Sequence, residues 1–457
     1  MLNLRTNLIV FAMKCCLFFA LFFYVGVVSY AQDSFKVLNS KKSHKIQFKL
    51  INNLIIVPVE VNDVKLSFLL DTGVSKPIIF NLLHVEDSLK LQNTETIELM
   101  GFGDGEPIKA AKSTNNVVKI GDAIKLNQDF YAVYDIDLNL APRLGIPVHG
   151  IMGFDLFKDL IVEINYSRKF VRLIEPDFYD YKRKRKTEKL HLEFYNNKPY
   201  INVKVNIKDK EIPVKLLIDS GGSDALWLFE DDSLDIHPGD HFFYDYLGHG
   251  LSGSVFGKRS KVNGFSINNY HLKNVNVAYP DSSSVVKAKN NKGRNGSLSG
   301  NMLKRFNVVF DYPRGFVSFT KNSFFKEKFN YNHSGIELAH DGSRLVKEID
   351  DSRSKFRSPN TQNRSAANSQ TIVIDAQYKY VLKPAFVIAE LRKNSPADLA
   401  GLQIGDLILE INNKPTTRFS LQEITSKFYD DVGKRVKLKI ERRGVVLNYS
   451  FVLKSPY

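Results

Sequence analysis

Cysteine is almost absent from this sequence. The 457 residues contain two cysteines, Cys15 and Cys16, and both lie in an apolar N-terminal segment that has the features of a removable leader. Without that segment the chain has no thiol, which excludes disulfides, thiolate-bound metals and a cysteine nucleophile. The ten histidines are scattered and form no His-Glu-x-x-His pattern for zinc. The sequence therefore predicts neither a metal site nor another cofactor, and the chemistry must come from other side chains.

The first 31 residues have the parts of a signal peptide. Arg5 and Lys14 precede the end of an apolar run that closes on the small-x-small pattern of Ser29 and Ala31. We predict cleavage before Gln32. An uncleaved membrane anchor is the alternative, disfavoured because the run is near the short end for crossing a bilayer. No later segment is apolar and long enough to span a membrane, and neither cysteine has a lipobox. We expect an exported protein of a bacterial envelope, either periplasmic or secreted.

Positive charge exceeds negative charge, but it is spread along the chain. The formal net charge is +15, and it falls to +13 when Arg5 and Lys14 leave with the leader. The exception is the basic run KRKRK at 182–186. Behind a signal peptide, a solvated linker explains such a run better than a nucleic-acid patch does. We predict no nucleic-acid partner, and attraction to an acidic surface stays open.

The chain contains an internal repeat. Residues 52–73 read NNLIIVPVEVNDVKLSFLLDTG, and residues 196–221 read NNKPYINVKVNIKDKEIPVKLLIDSG. In both copies an Asn-Asn pair, an alternating strand and a polar turn lead into an apolar strand, which predicts two hairpins. Each hairpin ends on an aspartate followed by a hydroxyl residue and a glycine. The copies stay in step, because an apolar turn ends in Gly153, 82 residues after Asp71, and a similar turn ends in Gly300, 81 residues after Asp219.

Two aspartates presented by matched strands suit one kind of chemistry. Carboxylates held a few ångströms apart cannot both ionise easily, so the pair shares a proton. The ionised member can take a proton from a water, while the protonated member polarises a carbonyl and later donates to a leaving amine. This is peptide hydrolysis without a covalent intermediate. We therefore predict Asp71 and Asp219 as the catalytic residues.

Small residues next to the aspartates have predicted supporting roles. The hydroxyls of Thr72 and Ser220 are expected to hydrogen-bond across to the opposite loop and hold the two carboxylates in register. Glycine after each hydroxyl residue lets the backbone turn where a side chain would crowd the other loop. The later glycines are expected to pack behind the two catalytic loops. The supporting glycines are Gly73, Gly221, Gly153 and Gly300.

Each copy also has a glycine-rich stretch that predicts a hairpin flap. These stretches read MGFGDGEPIKA at 100–110 and YLGHGLSGSVFGK at 246–258. The first resembles a phosphate loop only superficially, because no helical pattern follows it. A flap that closes over an extended substrate and excludes water is the better interpretation. The flap candidates are Gly101, Gly103, Gly105, Gly248 and Gly250.

On these motifs, the segment from about 40 to 325 resembles aspartic proteases, most closely bacterial retropepsin-like enzymes with two halves in one polypeptide. The resemblance implies a mainly β fold with two similar lobes related by a pseudo-twofold axis, Asp71 and Asp219 as the dyad, and protein or peptide substrates. The lobes are predicted at 44–176 and 190–323, joined by a basic linker at 177–189.

Two departures from the family pattern leave an alternative open. Val74 is bulkier than the residue that usually follows the first Asp-Thr-Gly, and Ser299 replaces an apolar residue before Gly300. A catalytically inactive, peptide-binding pseudo-protease of the cell envelope is therefore the second hypothesis. A third, binding of acidic glycans, has only the positive charge in its favour.

The end of the chain has a different composition. The segment FVIAELRKNSPADLAGLQIGDLILEINNKP at 386–415 resembles a PDZ domain, which we place at 328–455 as a small α+β unit. The resemblance implies binding of peptide C-termini by strand addition, with backbone N–H groups holding the carboxylate. A polar, disordered insertion is predicted at about 341–375, and a degenerate domain that only packs on the lobes is the alternative. The carboxylate-loop candidates are Ser334, Gly335, Ile336 and Leu338.

Overall fold

The computed structural model describes residues 34–81, 89–99, 108–133, 139–181, 186–250, 253–289, 293–349 and 378–457. These residues form two β lobes and a smaller C-terminal domain. The predicted signal peptide lies outside the described residues, as does most of the basic run. In the described part of the chain, no helix has the length and apolar character needed to cross a membrane.

The N-terminal lobe is mostly strand, and the two α-helices among its described residues are single turns. Its elements are β1 (Lys36–Val37), β2 (Ser43–Gln47), β3 (Lys49–Ile51), β4 (Leu54–Val61), β5 (Val64–Leu70), β6 (Ile78–Ile79), β7 (Thr94–Leu99), β8 (Ile108–Ile120), β9 (Ala123–Val133), α1 (Ala141–Leu144), β10 (Gly150–Met152), α2 (Phe154–Phe157), β11 (Ile161–Asn165) and β12 (Phe170–Ile174).

The C-terminal lobe repeats this composition. Its elements are β13 (Thr187–His191), β14 (Glu193–Tyr195), β15 (Lys198–Ile207), β16 (Lys210–Asp219), β17 (Leu226–Leu228), β18 (Phe243–Gly250), β19 (Gly253–Ile267), β20 (Tyr270–Pro280), α3 (Ser282–Lys289), β21 (Arg294–Ser299), α4 (Gly300–Leu303), β22 (Phe306–Asp311) and β23 (Phe316–Lys321).

The C-terminal domain is a twisted sheet with short helices. Its elements are β24 (Ile336–Ile349), β25 (Tyr378–Leu391), α5 (Pro396–Leu399), β26 (Leu407–Ile411), β27 (Lys414–Pro415), α6 (Leu421–Ser426), β28 (Arg435–Arg442) and β29 (Val445–Val452). Single 3₁₀ turns lie at Pro176–Phe178, Asp232–Leu234, Ser323–Lys326, Thr416–Arg418 and Lys427–Tyr429.

The strand order is the same in both lobes. The first lobe has the order β4-β5-β10-β6-β9, and the second has β15-β16-β21-β17-β20. In each lobe the strand that leads to the aspartate pairs in parallel with the strand before the later glycine: β5 with β10, and β16 with β21. The strand between them in the chain, β6 or β17, inserts antiparallel on the other side. The predicted mainly β fold with two similar lobes is confirmed.

A third sheet joins the two lobes. Its order is β13-β23-β22-β11-β12-β2, and β11 of the first half pairs with β22 of the second, with Val162 opposite Phe310. One continuous apolar cluster extends through both lobes, whereas the C-terminal domain has a separate cluster that includes Ile388 and Ile440. The two lobes therefore share a core, and the C-terminal domain has its own.

Two predicted boundaries of the lobes differ from the structure. The N-terminal lobe begins before residue 44, because Phe35 and Val37 are buried in its core and Lys36 pairs with Ile124. The predicted linker at 177–189 overlaps β13, whose Thr187 pairs with Thr320 in β23, the last strand of the C-terminal lobe. Both segments are held by backbone pairing to strands distant in the chain, which their local composition did not reveal.

The start of the predicted insertion at 341–375 is ordered, where disorder was expected. Strand β24 continues to Ile349 and pairs with β25, with Leu345 opposite Leu382. Both of these leucines are exposed, so backbone hydrogen bonds rather than side-chain burial hold this two-stranded ribbon. A polar, poorly buried segment was misread as lacking structure for that reason. The remainder of the predicted insertion, from 350, lies outside the described residues up to 377.

Candidate active site

The two predicted aspartates lie at equivalent places and meet. Asp71 directly follows β5, and Asp219 is the last residue of β16. A Cβ atom added at Gly73 would lie 3.1 Å from Oδ1 of Asp71 and 3.1 Å from Oδ1 of Asp219. A Cβ atom at Gly221 would lie 2.2 Å from Oδ2 of Asp71. Glycine is required at both positions because a side chain would occupy the space of the carboxylates.

The glycine amides also hold the carboxylates. The N–H of Gly73 donates to Oδ1 of Asp71 at 2.7 Å, and the N–H of Gly221 donates to Oδ1 of Asp219 at 3.1 Å. Each carboxylate therefore accepts from the backbone two residues further on. The same bond in both halves aims the two acids at a common point.

The hydroxyls of Thr72 and Ser220 cross between the loops, as the sequence predicted. Oγ1 of Thr72 donates to the carbonyl of Ile218 at 2.7 Å and accepts from the N–H of Ser220 at 3.0 Å. Oγ of Ser220 donates to the carbonyl of Leu70 at 2.8 Å and accepts from the N–H of Thr72 at 3.0 Å. All four bonds are buried, and they fix the separation of the two catalytic loops.

The later glycines pack directly behind these loops. A Cβ atom at Gly153 would lie 2.5 Å from the carbonyl oxygen of Asp71, and one at Gly300 would lie 2.8 Å from the carbonyl oxygen of Gly222. Any larger residue at either glycine would push the loop forward. Their predicted location behind the loops agrees with the structure.

The two departures from the family pattern leave the loop hydrogen bonds in place. The carbonyl of Val74 accepts from the N–H of Phe154 at 3.0 Å, and the carbonyl of Gly222 accepts from Gly300 at 2.8 Å. The Val74 side chain packs on an apolar cluster of the first lobe. Ser299 is buried, and a Cβ atom added at Gly222 would lie 2.8 Å from its Oγ. The missing side chain of Gly222 therefore leaves room for the Ser299 hydroxyl.

The environment of Asp71 favours a retained proton. Its side chain is buried, and burial is the main cause that raises the pKa of its carboxyl; the nearby Asp219 charge raises it further. The Gly73 hydrogen bond and the charge of Lys198 act in the opposite direction. A buried pair with this balance holds one proton between two acids over part of the accessible pH range.

Two basic residues near the dyad were missed from the sequence. Lys198 is the first residue of β15; burial and the charge of Arg294 lower the pKa of its ammonium, and the two aspartates oppose this. Arg294 is buried at the start of β21, where it donates to the carbonyl of Gly296 and to Oγ of Ser297. The repeat gave no signal for Lys198, because Leu54 occupies the matching position of the first copy.

The Asn-Asn pairs contact the opposite catalytic loop. Nδ2 of Asn53 donates to the carbonyl of Ser223 at 2.8 Å, and Oγ of Ser75 donates to the carbonyl of Asn196 at 2.6 Å. The sequence showed these asparagines as a shared feature of the repeat, but no role was assigned to them. Their recurrence just before each hairpin was the available signal.

The flap candidates are described in one half only. Gly248 and Gly250 lie in β18, which forms a hairpin with β19. The candidates of the first half, Gly101, Gly103 and Gly105, lie outside the described residues. The strands on either side of them, β7 and β8, pair as the arms of a hairpin.

The carboxylate-loop candidates of the C-terminal domain are bonded within their own loop. Oδ1 of Asn332 accepts from the N–H of Ser334 at 2.9 Å and from the N–H of Gly335 at 3.1 Å. Oγ of Ser334 accepts from the N–H of Ile336 at 3.0 Å. Ile336 and Leu338 point into the core of the domain. The amides predicted to bind a peptide carboxylate already have acceptors.

No metal centre accompanies the aspartates in the part of the chain that the structure describes. Those residues contain no group of three or more His, Cys, Asp or Glu side chains that could hold a metal ion. The candidate active site therefore consists of two carboxylates, their amide donors and two nearby cations.

Comparison with known families identifies two segments of the chain. Residues 57–156 match the family model described as aspartyl protease, and residues 387–442 match the model described as PDZ domain. The first match contains Asp71 and Gly153. The predicted resemblance is confirmed for these segments: the chain carries an aspartyl protease domain and a C-terminal PDZ domain.

Proposed function

We propose that the protein is an aspartic-type endopeptidase in which Asp71 and Asp219 share one proton and activate a water molecule. One observation carries the proposal. The catalytic loops exchange hydroxyl bonds through Thr72 and Ser220, and this exchange brings two carboxylates within reach of the same Gly73 position. Such precise support is what a pair of acids needs to act on one bond.

The chemistry follows from one shared proton. The ionised carboxylate takes a proton from the water as its oxygen adds to the carbonyl carbon of the peptide bond. The protonated carboxyl donates to the carbonyl oxygen, which gives a tetrahedral diol. The carboxyl that took the proton from water then donates it to the amide nitrogen. As the C–N bond breaks, one diol hydroxyl gives its proton to the other carboxylate, which releases an acid and an amine. The dyad returns with one proton, so no cofactor is consumed.

Asp71 suits the role of the protonated partner, and Asp219 that of the base. Asp71 is the more buried of the two, and its carboxyl has the raised pKa. The two acids titrate as a coupled pair, so the assignment describes the dominant arrangement of a shared proton. The charge of Lys198 lowers the pKa of Asp71 and so stabilises its ionised form.

We further propose that the reaction takes place outside the cytoplasm, on protein or peptide substrates, with the PDZ domain regulating the protease. The signal-peptide pattern at 1–31 supports export to the periplasm or the medium. The separate core of the PDZ domain and its contacts with both lobes support a regulatory role.

The decisive experiment compares three aspartate variants. Residues 32–457 are incubated with a mixed peptide pool between about pH 4 and pH 8, a window set by a coupled carboxyl pair, and the products are identified by mass spectrometry. Asp71→Asn and Asp219→Asn are expected to abolish cleavage while keeping the fold. Asp235→Asn, at an exposed position that pairs with Lys210, is the matched control and is expected to cut normally.

Two results would overturn the proposal. Cuts that survive both dyad substitutions would mean another mechanism or another enzyme. A folded protein that retains peptides and cuts none of them at any pH would favour the peptide-binding pseudo-protease instead.

A further inference from the structure

The peptide groove of the PDZ domain has an identifiable location. Peptides bind PDZ domains by adding a strand to an open sheet edge beside a helix. In the described residues β24 is the last strand of its sheet, so one edge of β24 has no strand partner. Helix α6 packs next to β24. The groove therefore lies between β24 and α6, with the Asn332–Ile336 loop at its end.

A segment of the protease lobe already occupies this groove. Helix α1 packs against β24. Together with its capping residues, Leu140 and Gly145, it forms the segment 140–145, which contacts the start of α6. Nε2 of Gln422 on α6 donates to the carbonyl of Leu144 at 2.6 Å. The backbone of Gly145 approaches Leu421 so closely that a Cβ there would lie 3.0 Å from the Cβ of Leu421. No local sequence pattern predicts this contact, because its partners are 278 residues apart.

An ion pair fixes the same segment from the other side. Nη2 of Arg143 lies 2.8 Å from Oε1 of Glu390 on β25, and the Arg143 guanidinium stacks on the ring of Tyr246 in β18. Arg143 therefore contacts both the PDZ domain and the hairpin of the second lobe. The groove occupant is held at three places by three different parts of the chain.

The backbone N–H groups at the end of the groove already donate to side-chain oxygens of their own loop. A peptide carboxylate needs the free N–H groups of the loop. Oδ1 of Asn332, which is buried, accepts from two of these N–H groups, and Oγ of Ser334 accepts from a third. A carboxylate could bind only by displacing these internal acceptors.

A partly buried ion-pair series connects the PDZ domain to the loop that follows Asp219. Arg392 of the PDZ domain lies 3.5 Å from Asp245 of β18, and Asp245 lies 3.2 Å from Arg259 of β19. Arg259 in turn bonds Asp224, five residues after Asp219, at 2.7 Å. The Arg392 and Arg259 side chains are 6% and 12% exposed, so solvent screens the series weakly.

We propose that the PDZ domain is bound to its own protease lobes, with residues 140–145 as the occupant of its groove and with Arg392 as a positioning residue for the β18–β19 hairpin. It is a fixed part of the catalytic unit and not a receptor for free peptide C-termini. The occupied groove attaches the domain to the N-terminal lobe, and the ion-pair series attaches it to the C-terminal lobe. The kinetic part of this proposal rests on the proposed peptidase activity, and its structural part does not.

Peptide binding tests the filled groove. The probe is a pool of labelled short peptides with an apolar last residue, each as a free acid and as an amide, added to the Asp71→Asn protein so that nothing is cut. We expect no carboxylate-dependent binding. Binding of the acid and amide forms alike is expected to appear in Arg143→Ala/Gln422→Ala, which frees the segment but leaves the Asn332 and Ser334 acceptors in place. It is not expected in Arg435→Ala, whose side chain lies on β28 and contacts Ser450.

Carboxylate-dependent binding by the unaltered groove would refute self-occupancy. A double variant that stays folded and still ignores the peptides would refute the claim that the segment is what blocks the groove. Both results use an inactive background and therefore stand whether or not the protein proves to be a peptidase.

Hydrogen exchange and kinetics test the positioning role of Arg392. In the Asp71→Asn background, Arg392→Met is expected to speed amide exchange in β18 and at 140–145 while leaving β22 and β23 unchanged. In the active protein, the same change is expected to lower kcat roughly tenfold, a loss typical of small remote displacements, with partial recovery in Arg392→Lys. Asp245→Asn, on the other partner, is expected to reproduce the pattern.

A uniform rise of exchange over the whole PDZ domain, with no change in β18, would show a folding defect and overturn the positioning role. Unchanged exchange in both segments would show that the domain is not held by this series. Unchanged kcat beside faster exchange would remove the kinetic claim.

Discussion

The hydroxyls of Thr72 and Ser220 exchange equivalent hydrogen bonds between the two halves of the molecule: each accepts from the backbone N–H of the other residue at 3.0 Å. Each hydroxyl also donates to a carbonyl of the opposite half. Neither lobe can therefore place its aspartate without the other.

Removing one of these hydroxyls is expected to lower kcat more than the loss of stability alone would. Thr72→Val keeps the shape of the side chain but leaves a buried N–H and a buried carbonyl without partners, at a cost of about 1–3 kcal/mol each. We expect a lower melting temperature and a larger loss of kcat, with Thr72→Ser close to the unaltered protein. Thr187→Val, which removes a part-buried hydroxyl bond to Thr320, is the control. Equal effects of the two valine changes on kcat would contradict the coupling.

Adding one methyl group at Gly221 is expected to disable the dyad. The new Cβ would lie 2.2 Å from Oδ2 of Asp71, so the carboxylate must move. We expect Gly221→Ala to lower kcat by roughly a hundredfold with a modest change in melting temperature. Gly264→Ala in β19 is the control, because its nearest atom would be at 3.3 Å. A fully active Gly221→Ala protein would show that the carboxylates do not need this space.

Lys198 is expected to set the pH range of cleavage. Its positive charge lowers the pKa of Asp71 by stabilising the ionised dyad. Without that charge the pKa of Asp71 is expected to rise further, so Lys198→Gln is expected to move the high-pH limb of the kcat/KM profile to higher pH. Lys204→Gln, on the same strand but exposed and paired with Glu211, is the control. A profile that stays in place would exclude Lys198 as an electrostatic partner.

Glu337 is expected to make the protein less stable at high pH. Burial, followed by the charge of Asp245, raises the pKa of the Glu337 carboxyl to about 7. The folded state therefore binds the proton more tightly than the unfolded state, where the pKa is about 4.3. Between these two values stability falls as pH rises, and above pH 7 the penalty is complete.

Substitution of Glu337 by glutamine tests this sign. Glu337→Gln removes the ionisation but keeps an acceptor for Nδ2 of Asn332. We expect the variant to gain about 1–3 kcal/mol relative to the unaltered protein at about pH 8 and little at about pH 4, measured by urea unfolding. Glu348→Gln on the ribbon, which pairs with Lys383, is the control. A gain independent of pH would attribute the effect to packing.

The sequence predicted the elements that are local and repeated. Asp71 and Asp219 each end an apolar strand and precede a hydroxyl residue and a glycine, so both the hairpins and the loops could be read from short windows. The packing of Gly153 and Gly300 behind the loops could be inferred as well, because the two copies have nearly the same spacing. Comparison of the copies also indicated the cross-loop role of Thr72 and Ser220.

What the sequence did not predict depends on differences between the copies or on distant contacts. Lys198 matches Leu54 in the first copy, so comparison of the copies did not indicate a role for Lys198. Arg143 meets Glu390, 247 residues away, and no local pattern predicts such a pair. The outer part of β24 is polar and exposed, so its composition resembled a disordered segment while its backbone was paired.

The sheet that joins the lobes makes the meeting of Asp71 and Asp219 depend on both halves of the molecule. Strand β11 belongs to one half and β22 to the other, and they lie side by side at the centre of that sheet. A half made alone would carry one aspartate and an open strand edge, which is a ready template for association. Two separate chains, one for each lobe, are expected to associate by pairing β11 with β22 and to form an active heterodimer.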